Sequence, residues 1–511
     1  MLIVLTIYFL NIVLAQSWIQ LGNDIDGNAA SDNLGWSVSL SDDGKRVAIG
    51  ANYNNDNGNN AGQVRIYSEY EGIWTQLGSN ILGETAEDLS GSSVSLSSDG
   101  KRVAIGAIYN DGNGSKSGHV RIYSESGGVW TQLGSDIDGE AAGDWLGSSV
   151  SLSSDGKRVA IGAPENNGNG SKSGHVRIYS ESGGVWTQVG SDIDGKTSNY
   201  SGSAVSLSSD GKRVAIGAPY SSEVQPVAGK VRVYTESGGV WTQLGSDLDG
   251  EGADDHSGSS VSLSSDGKRV AIGAIYSDGT DYDAGHVRIY SESGGVWTQV
   301  GSDIDGEATQ DRSGFSVSLS NDGKIVAIGA PYNDGTDNWA GHVRIYSESE
   351  GVWTQLGSDI DGEAAMDFSG HSVFLSADGK RVAIGAPHND GAEDGTGQVR
   401  VYIEPVLGIA DNEIFHSILK ELTVLDAYPN PFNPTTTIRY GIDTDSRVTI
   451  SIYDITGQLI TILLKTEQIQ GWHFIQWNGT NQLGKIVPNG QYFVNVLAGN
   501  REKTQKLMLL K

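Results

Sequence analysis

The chain contains no cysteine. Disulfides are thereby excluded, as are thiolate metal sites and a cysteine nucleophile. Proline is sparse, 10 in 511 residues, while glycine numbers 71. That balance suits turn-rich β structure better than a proline-rich disordered chain. Positive charge is scarce: 34 Lys and Arg stand against 63 Asp and Glu, a net of −29. A surface of that sign repels phosphate, so nucleic acid is not expected as a partner. Solubility in saline water, or attraction of cations, fits it better. The excess is uneven. Residues 405–511 hold nine acids and nine bases, so all of it lies ahead of them. Long apolar runs are missing except at residues 1–15, MLIVLTIYFLNIVLA. A membrane span needs about 20 apolar residues, so this run predicts a signal peptide ending at Val13-Leu14-Ala15. It departs from the usual pattern in having no Lys or Arg ahead of the apolar part. No transmembrane segment is expected in the mature chain.

What the chain has instead is repetition. Close copies of one stretch begin at Trp18, Trp74, Trp130, Trp186, Trp241, Trp297 and Trp353, with spacings of 55 or 56 residues. A fixed period in this range marks a repeat architecture. In the third copy four β-type runs fall at 130–133, 150–153, 158–163 and 175–179, separated by Ser-Asp-Gly at 154–156 and Gly183-Gly184. Val159-Ala160-Ile161-Gly162-Ala163 is apolar without alternation and reads as buried on both faces, whereas Val150 and Leu152 alternate with serines. Four antiparallel strands, seven times over, with no helical periodicity between them, predict an all-β, seven-bladed propeller across residues 17–404. The Trp strand follows a hairpin and is expected outermost in the preceding blade. The first Trp strand, 18–21, has no preceding blade, and the last blade lacks its Trp strand. Residues 18–21 are therefore expected to complete the blade formed by 371–402, removing an open sheet edge. The repeated Trp is expected to pack between neighbouring blades.

The string G-x-S-V-S-L-S, then V-A-I-G-A-P, then G-H-V-R-I-Y resembles FG-GAP repeats, the blades of integrin-α-like propellers. Gly314-Phe315 and Gly329-Ala330-Pro331 match both halves of that name. Blades of that type often hold calcium in an aspartate-rich hairpin between the first two strands. Here the hairpin is only Ser-Asp-Gly-Lys-Arg at 154–158, too short for the oxygen ligands calcium takes. The resemblance does not carry that site over, and Asp155 reads as a turn residue.

Two other loops carry candidate sites. Asp136, Asp138 and Asp144 recur as Asp303, Asp305, Asp311 and as Asp359, Asp361, Asp367. Three carboxylates this close either cap the crossover turn between blades or wrap a hard cation, calcium being the possible cofactor. The loop after Gly-Ala-Pro varies most between copies, and loops grouped on one face make a recognition surface. Tyr220, Tyr282 and Trp339 lie in or beside it and are candidates for stacking on a ligand. His119, His175, His286 and His342 share one repeat position with Gln63, Lys230 and Gln398, an interchange that predicts an exposed strand start. No catalytic constellation stands out. An acid and a base need different environments, and seven near-copies supply similar ones.

Composition changes at 405–425, expected to be a linker with one helical turn. Then comes YPNPFNPTTTIRY, followed by short apolar or alternating runs punctuated by Asp454-Ile455-Thr456-Gly457, Asn478-Gly479 and Asn489-Gly490. Six or seven strands in this length predict a small Ig-like β-sandwich over 426–511. The block, with GWHFIQWNGTN, NGQYFVNVLAG and KLMLLK, resembles the C-terminal sorting domain of type IX secretion substrates. That resemblance implies the type IX machinery as a partner and a secreted or cell-surface destination. Together these features predict a non-catalytic binding or adhesion protein for an extracellular glycan or protein. The alternatives are a secreted polysaccharide hydrolase or lyase, and a structural coat protein.

Overall fold

The computed structural model describes residues 17–391, 394–404, 422–428, 430, 436–468 and 471–510. The stretch expected to be a signal peptide and most of the expected linker lie outside them. The chain divides into two compact units, Met1–Pro405 and Val406–Lys511.

The first unit is a seven-bladed propeller of antiparallel sheets. Blade three shows the plan. Ser149–Leu152, Arg158–Ala163, His175–Ser182 and Val185–Gln188 pair in that order from the axis outward. Val159, Ala160 and Ile161 are wholly buried, as their unbroken apolar run requires. A fifth element was not foreseen. Ile193–Asp194 also pairs with the third strand, with His175 opposite Asp194 and Val176 opposite Ile193. The outer edge of each blade is thus one strand broken in two. Its second piece was expected to be crossover loop.

The ring closes with the N-terminal strand. Ile19 and Gln20 pair with Ile403 and Tyr402, and Ile25–Asp26 pairs with Val399 and Gln398. The Leu21 N–H donates to the Val401 carbonyl at 2.7 Å. Closure also runs around the axis. Each first hairpin donates one backbone N–H to the next: Asp42 to Ser98, Ser98 to Ser154, Ser154 to Ser209, Ser209 to Ser265, Ser265 to Asn321, Asn321 to Ala377, and Ala377 back to Asp42, all at 2.8–3.0 Å.

Adjacent blades share their cores. Val120 and Ile122 of blade two pack with Val150, Val159 and Ile161 of blade three, with Trp186 against the rim of that cluster. The Trp186 indole N–H donates to the Leu133 carbonyl of blade two at 2.8 Å. Trp18 does the same to Leu356 across the closure, also at 2.8 Å. The Trp is therefore a pin between blades, as expected, though most copies are half-buried rather than deep in the core. Gly162 shows how close the blades come: a Cβ there would lie 2.0 Å from the Gly202 carbonyl oxygen of the next blade. The Ser-Asp-Gly hairpin is a turn, because Asp155 Oδ1 accepts the Ser153 hydroxyl at 2.7 Å and the Lys157 N–H at 2.9 Å.

Salt bridges repeat between blades. Arg46–Glu125 is 3.1 Å, Arg102–Glu181 is 3.0 Å and Arg381–Glu69, across the closure, is 3.1 Å. Blade six carries Ile325 where the others carry this Arg. Its neighbour Glu404 has its carboxyl pushed up by burial.

The second unit is a two-layer sandwich. One sheet orders Thr423–Tyr428, Thr436–Ile442 and Gly471–Trp477; the other orders Leu459–Gln468, Ser446–Asp454, Gly490–Ala498 and Arg501–Leu509. Ile438, Tyr440, Ile450, Ile452, Trp477, Val494 and Leu507 fill the space between them. Residues 423–428 form a strand that begins inside the stretch 405–425 expected to be a linker with a helical turn. Asn430 explains part of the proline-rich motif. Its side-chain amide donates to the Lys506 carbonyl at 2.9 Å and accepts the Met508 N–H at 2.8 Å, pairing with the last strand as a backbone amide would.

Trp186→Ala is expected to cost about 3 kcal/mol in urea unfolding, the low end for an aromatic truncation because the ring is half-buried. An unchanged unfolding curve would remove the Trp from the blade-to-blade contact. The pH dependence has a defined sign. The Gly128 and Gly184 N–H groups, then the paired arginines, hold Glu125 and Glu181 below the usual carboxylate range despite burial. Their stabilisation is complete above about pH 4.3, the unfolded value, and is lost as pH falls through the lower folded values. The melting temperature should therefore be level near neutrality and drop on acidification below pH 4.3, less steeply in Arg102→Ala. An equal drop in that variant would contradict this assignment.

Candidate binding face

The face where each second strand ends carries two concentric features. Nearer the axis, the residue just ahead of each first strand sits in the left-handed backbone region. These residues are Asn33 (φ 55°), Leu89 (55°), Trp145 (58°), Tyr200 (52°), His256 (56°), Arg312 (53°) and Phe368 (53°). None is glycine, and the conformation costs roughly 1–2 kcal/mol for a residue with a Cβ. It persists because the backbone is tied from the neighbouring loop: the Tyr200 N–H donates to Lys172 at 3.1 Å and the Phe368 N–H to Trp339 at 3.2 Å. A fixed backbone thus presents a different side chain in every blade. Backbone strain of this kind clusters at functional sites.

These side chains join into a belt. Tyr200 lies 4.6 Å from Tyr220 between ring centroids, Tyr220 lies 4.7 Å from His256, and His256 lies 4.9 Å from Tyr276. The Arg312 guanidinium bridges onward, 4.9 Å from Tyr276 and 4.1 Å from Tyr332. Phe368 then contacts Tyr332, Trp339 and His388 at 5.2, 5.9 and 5.0 Å. Burial lowers His256 and His388 below the ordinary imidazole value, so both rings are neutral near pH 7. Of the residues expected to stack on a ligand, Tyr220 and Trp339 belong to the belt and are 44% and 40% exposed. Tyr282 is more exposed, at 60%, and stands outside it. Tyr200, His256, Arg312 and Phe368 were missed. Their signal is variability at one position of an otherwise near-identical repeat.

Further out lie the acidic residues, in an arrangement the spacing did not anticipate. Asp136, Asp138 and Asp144 do not converge. Asp144 is buried and caps its own turn, its Oδ2 accepting the Ala141 N–H at 2.9 Å. Asp311 and Asp367 do likewise, accepting from Ala308 and Ala364, both at 2.9 Å. Asp136 instead accepts from Gln132 at 2.6 Å and faces His119, while Asp138 lies opposite His119 in the strand pairing. Asp303 and Asp305 approach His286, and Asp359 approaches His342; Asp361 pairs with His342 in register. The histidines are buried, 1–3% exposed, not at an exposed strand start, because the broken outer strand and the adjacent crossover loop cover them. Burial, then the neighbouring Arg121, pulls His119 down to about 4, and burial with Arg344 does the same to His342. Burial also raises Asp138, Asp305 and Asp361, each helped by the adjacent carboxylate two residues earlier. The hairpin that holds calcium in integrin-type blades does not fit an ion here, since Asp155 is spent on its own turn.

The axis itself holds a cavity of about 200 Å³ lined by Val, Ser and Leu of the first strands, with Asp42 the sole carboxylate. It offers no acid–base pair.

The class this geometry defines is a closed β-propeller with a separate β-sandwich unit. Residues 25–67, 84–123 and 137–179 match the FG-GAP repeat, and residues 426–510 match the secretion system C-terminal sorting domain. The chain carries FG-GAP repeats and a type IX sorting domain, and it is a secreted or cell-surface protein. No helix among the described residues is long and apolar enough to cross a membrane. No curated protein matches the chain. Similar solved structures include the periplasmic gluconolactonase of Pseudomonas aeruginosa, at 13% identity and TM-score 0.45, covering 81% of this chain and 94% of that one. U3-55K matches at 13% and 0.47, covering 75% and 98%. A fungal alcohol oxidase in complex with copper matches at 12% and 0.45, covering 97% and 100%. At these values the likenesses carry no functional argument.

Proposed function

We propose that the propeller is a non-catalytic binding module, delivered outside the cell by its sorting domain, and that the aromatic belt holds an extracellular glycan. The observation that carries this reading is the belt. Seven identical backbone positions display seven different side chains, and those of blades four to seven join with the loop aromatics into one belt, bridged by Arg312. Aromatic faces pack against the C–H faces of sugar rings, and edge hydroxyls find partners in Arg312 and the acidic rim. Repeated contacts around a ring add through avidity against a polymer. The sorting reading predicts that a reporter fused to residues 426–511 leaves the periplasm, and Asn430→Ala, which unpins the last strand, should retain part of it inside. A reporter secreted equally well with that variant would contradict the role given to Asn430.

A glycan array with the purified protein tests the binding reading. Binding should appear and should weaken at least tenfold in Trp339→Ala and in Tyr220→Ala, with Tyr282→Ala affected least. Ligand capture unchanged in the first two variants, or product release from an unmodified polysaccharide, would overturn it.

A further inference from the structure

We propose that blades two, three, five and six each hold one divalent transition-metal ion, bound by a buried imidazole and the carboxylates around it. The groups are Glu84, His119 and Asp136 in blade two, Glu140, His175 and Asp192 in blade three, His286, Asp303 and Asp305 in blade five, and Glu307, His342 and Asp359 in blade six, each with donor atoms within 4.8 Å of one another. In blade two His119 Nδ1 points between two carboxylates, 3.9 Å from Glu84 and 3.9 Å from Asp136. Those gaps are too long for hydrogen bonds and suit ligands on either side of an ion, which binds imidazole and carboxylate at about 2.0–2.2 Å each. Nε2 of His119, His175 and His286 is buried with no hydrogen-bond partner.

Blades one and four supply a further observation. In blade four Lys230 replaces the histidine, and its ammonium sits 2.7 Å from Asp247, 3.2 Å from Asp249 and 3.2 Å from Glu223. The protein's own cation fills the place assigned to the ion. In blade one the histidine becomes Gln63, and three of the four acids change with it, only the capping Asp32 remaining: Glu84 corresponds to Asn28, Asp136 to Asn80 and Asp138 to Leu82. The Gln63 and Asn80 amides then pair at 2.7 Å. Counting the crossover acid, the rim acids, the capping acid and the Arg two residues past the histidine position, blades one and four are neutral. Each histidine blade carries four carboxylates against one guanidinium, a net of −3. Blade seven departs from this pattern: it has Gln398 at the histidine position yet keeps Glu363, Asp24, Asp26 and Asp367 against Arg400, a net of −3, so the acids alone do not define the ion site and the imidazole is what it needs. An imidazole among carboxylates selects a first-row transition ion over calcium, which takes oxygen ligands. This inference does not rest on the glycan reading.

The test is metal stoichiometry of the full chain, stripped with chelator, loaded separately with zinc or calcium, desalted and measured by elemental analysis. Four zinc ions per chain are expected, falling by one with each of His119→Gln, His175→Gln, His286→Gln and His342→Gln. Glutamine already occupies this position at Gln63 and Gln398, so these variants should fold, and circular dichroism checks that they do. Lys230→His with Lys196→Glu should add a fifth ion. No retained zinc, or zinc unchanged by the glutamine substitutions, would overturn the proposal. Calcium retained at four per chain and indifferent to those substitutions would overturn it as well, pointing to oxygen-only sites.

Discussion

The propeller depends on closure. A blade alone is a small sheet with two apolar faces and two open edges, and it cannot bury either face without neighbours on both sides. Seven backbone hydrogen bonds link the first hairpins in a circle, each donor answered by the next carbonyl, with none left over. The N-terminal strand completes the last sheet from outside, so the earliest and latest parts of the repeat region stabilise each other. Any blade that drifts outward breaks two axial bonds, two indole pins and two shared cores together. Such coupling makes the ring rigid and the loop positions reproducible.

Reproducible positions are what a recognition surface needs. The frame residues barely change from blade to blade: Ser-Asp-Gly, Val-Ala-Ile-Gly-Ala, the Trp pin. Variation is confined to places where the backbone is already held. The left-handed position ahead of each first strand is the clearest, because its conformation is set by its neighbours and its side chain is left to differ. The histidine position is another, where the chain alternates between an imidazole, an ammonium and an amide within one unchanged strand pairing. Belt and acidic rim lie on one face, so a ligand on the aromatics would rest inside a circle of charge.

The architecture was legible in the sequence because its signals are local or strictly periodic. The spacing of Trp18 to Trp353 fixes the number of blades, and the unpaired first Trp strand implies the closure. The hairpin at Asp155 and the buried run at Val159 follow from turn chemistry and missing alternation. What escaped depends on neighbours distant in the chain. Ile193–Asp194 is too short to show a period, and its pairing exists only because His175–Ser182 leaves half an edge open. That pairing covers His175, so its burial could not be read from an exchange of polar residues. Asp144 looked like a third ligand by spacing, yet a turn amide claims it. The start of Thr423–Tyr428 was hidden by the composition of the stretch in which it begins. The joint change of Gln63, Asn28, Asn80 and Leu82 was visible all along, but its meaning needs the crossover loop brought against the third strand.

Amide hydrogen exchange resolved along the chain tests closure most directly. If the first strand latches the ring, the Leu21 amide and the axial amides of Asp42 and Ala377 should exchange as slowly as those of Arg381–Ala386 in the same blade. Exchange at Leu21 near the rate of an unstructured chain, with Arg381–Ala386 still protected, would show an open ring and contradict the account.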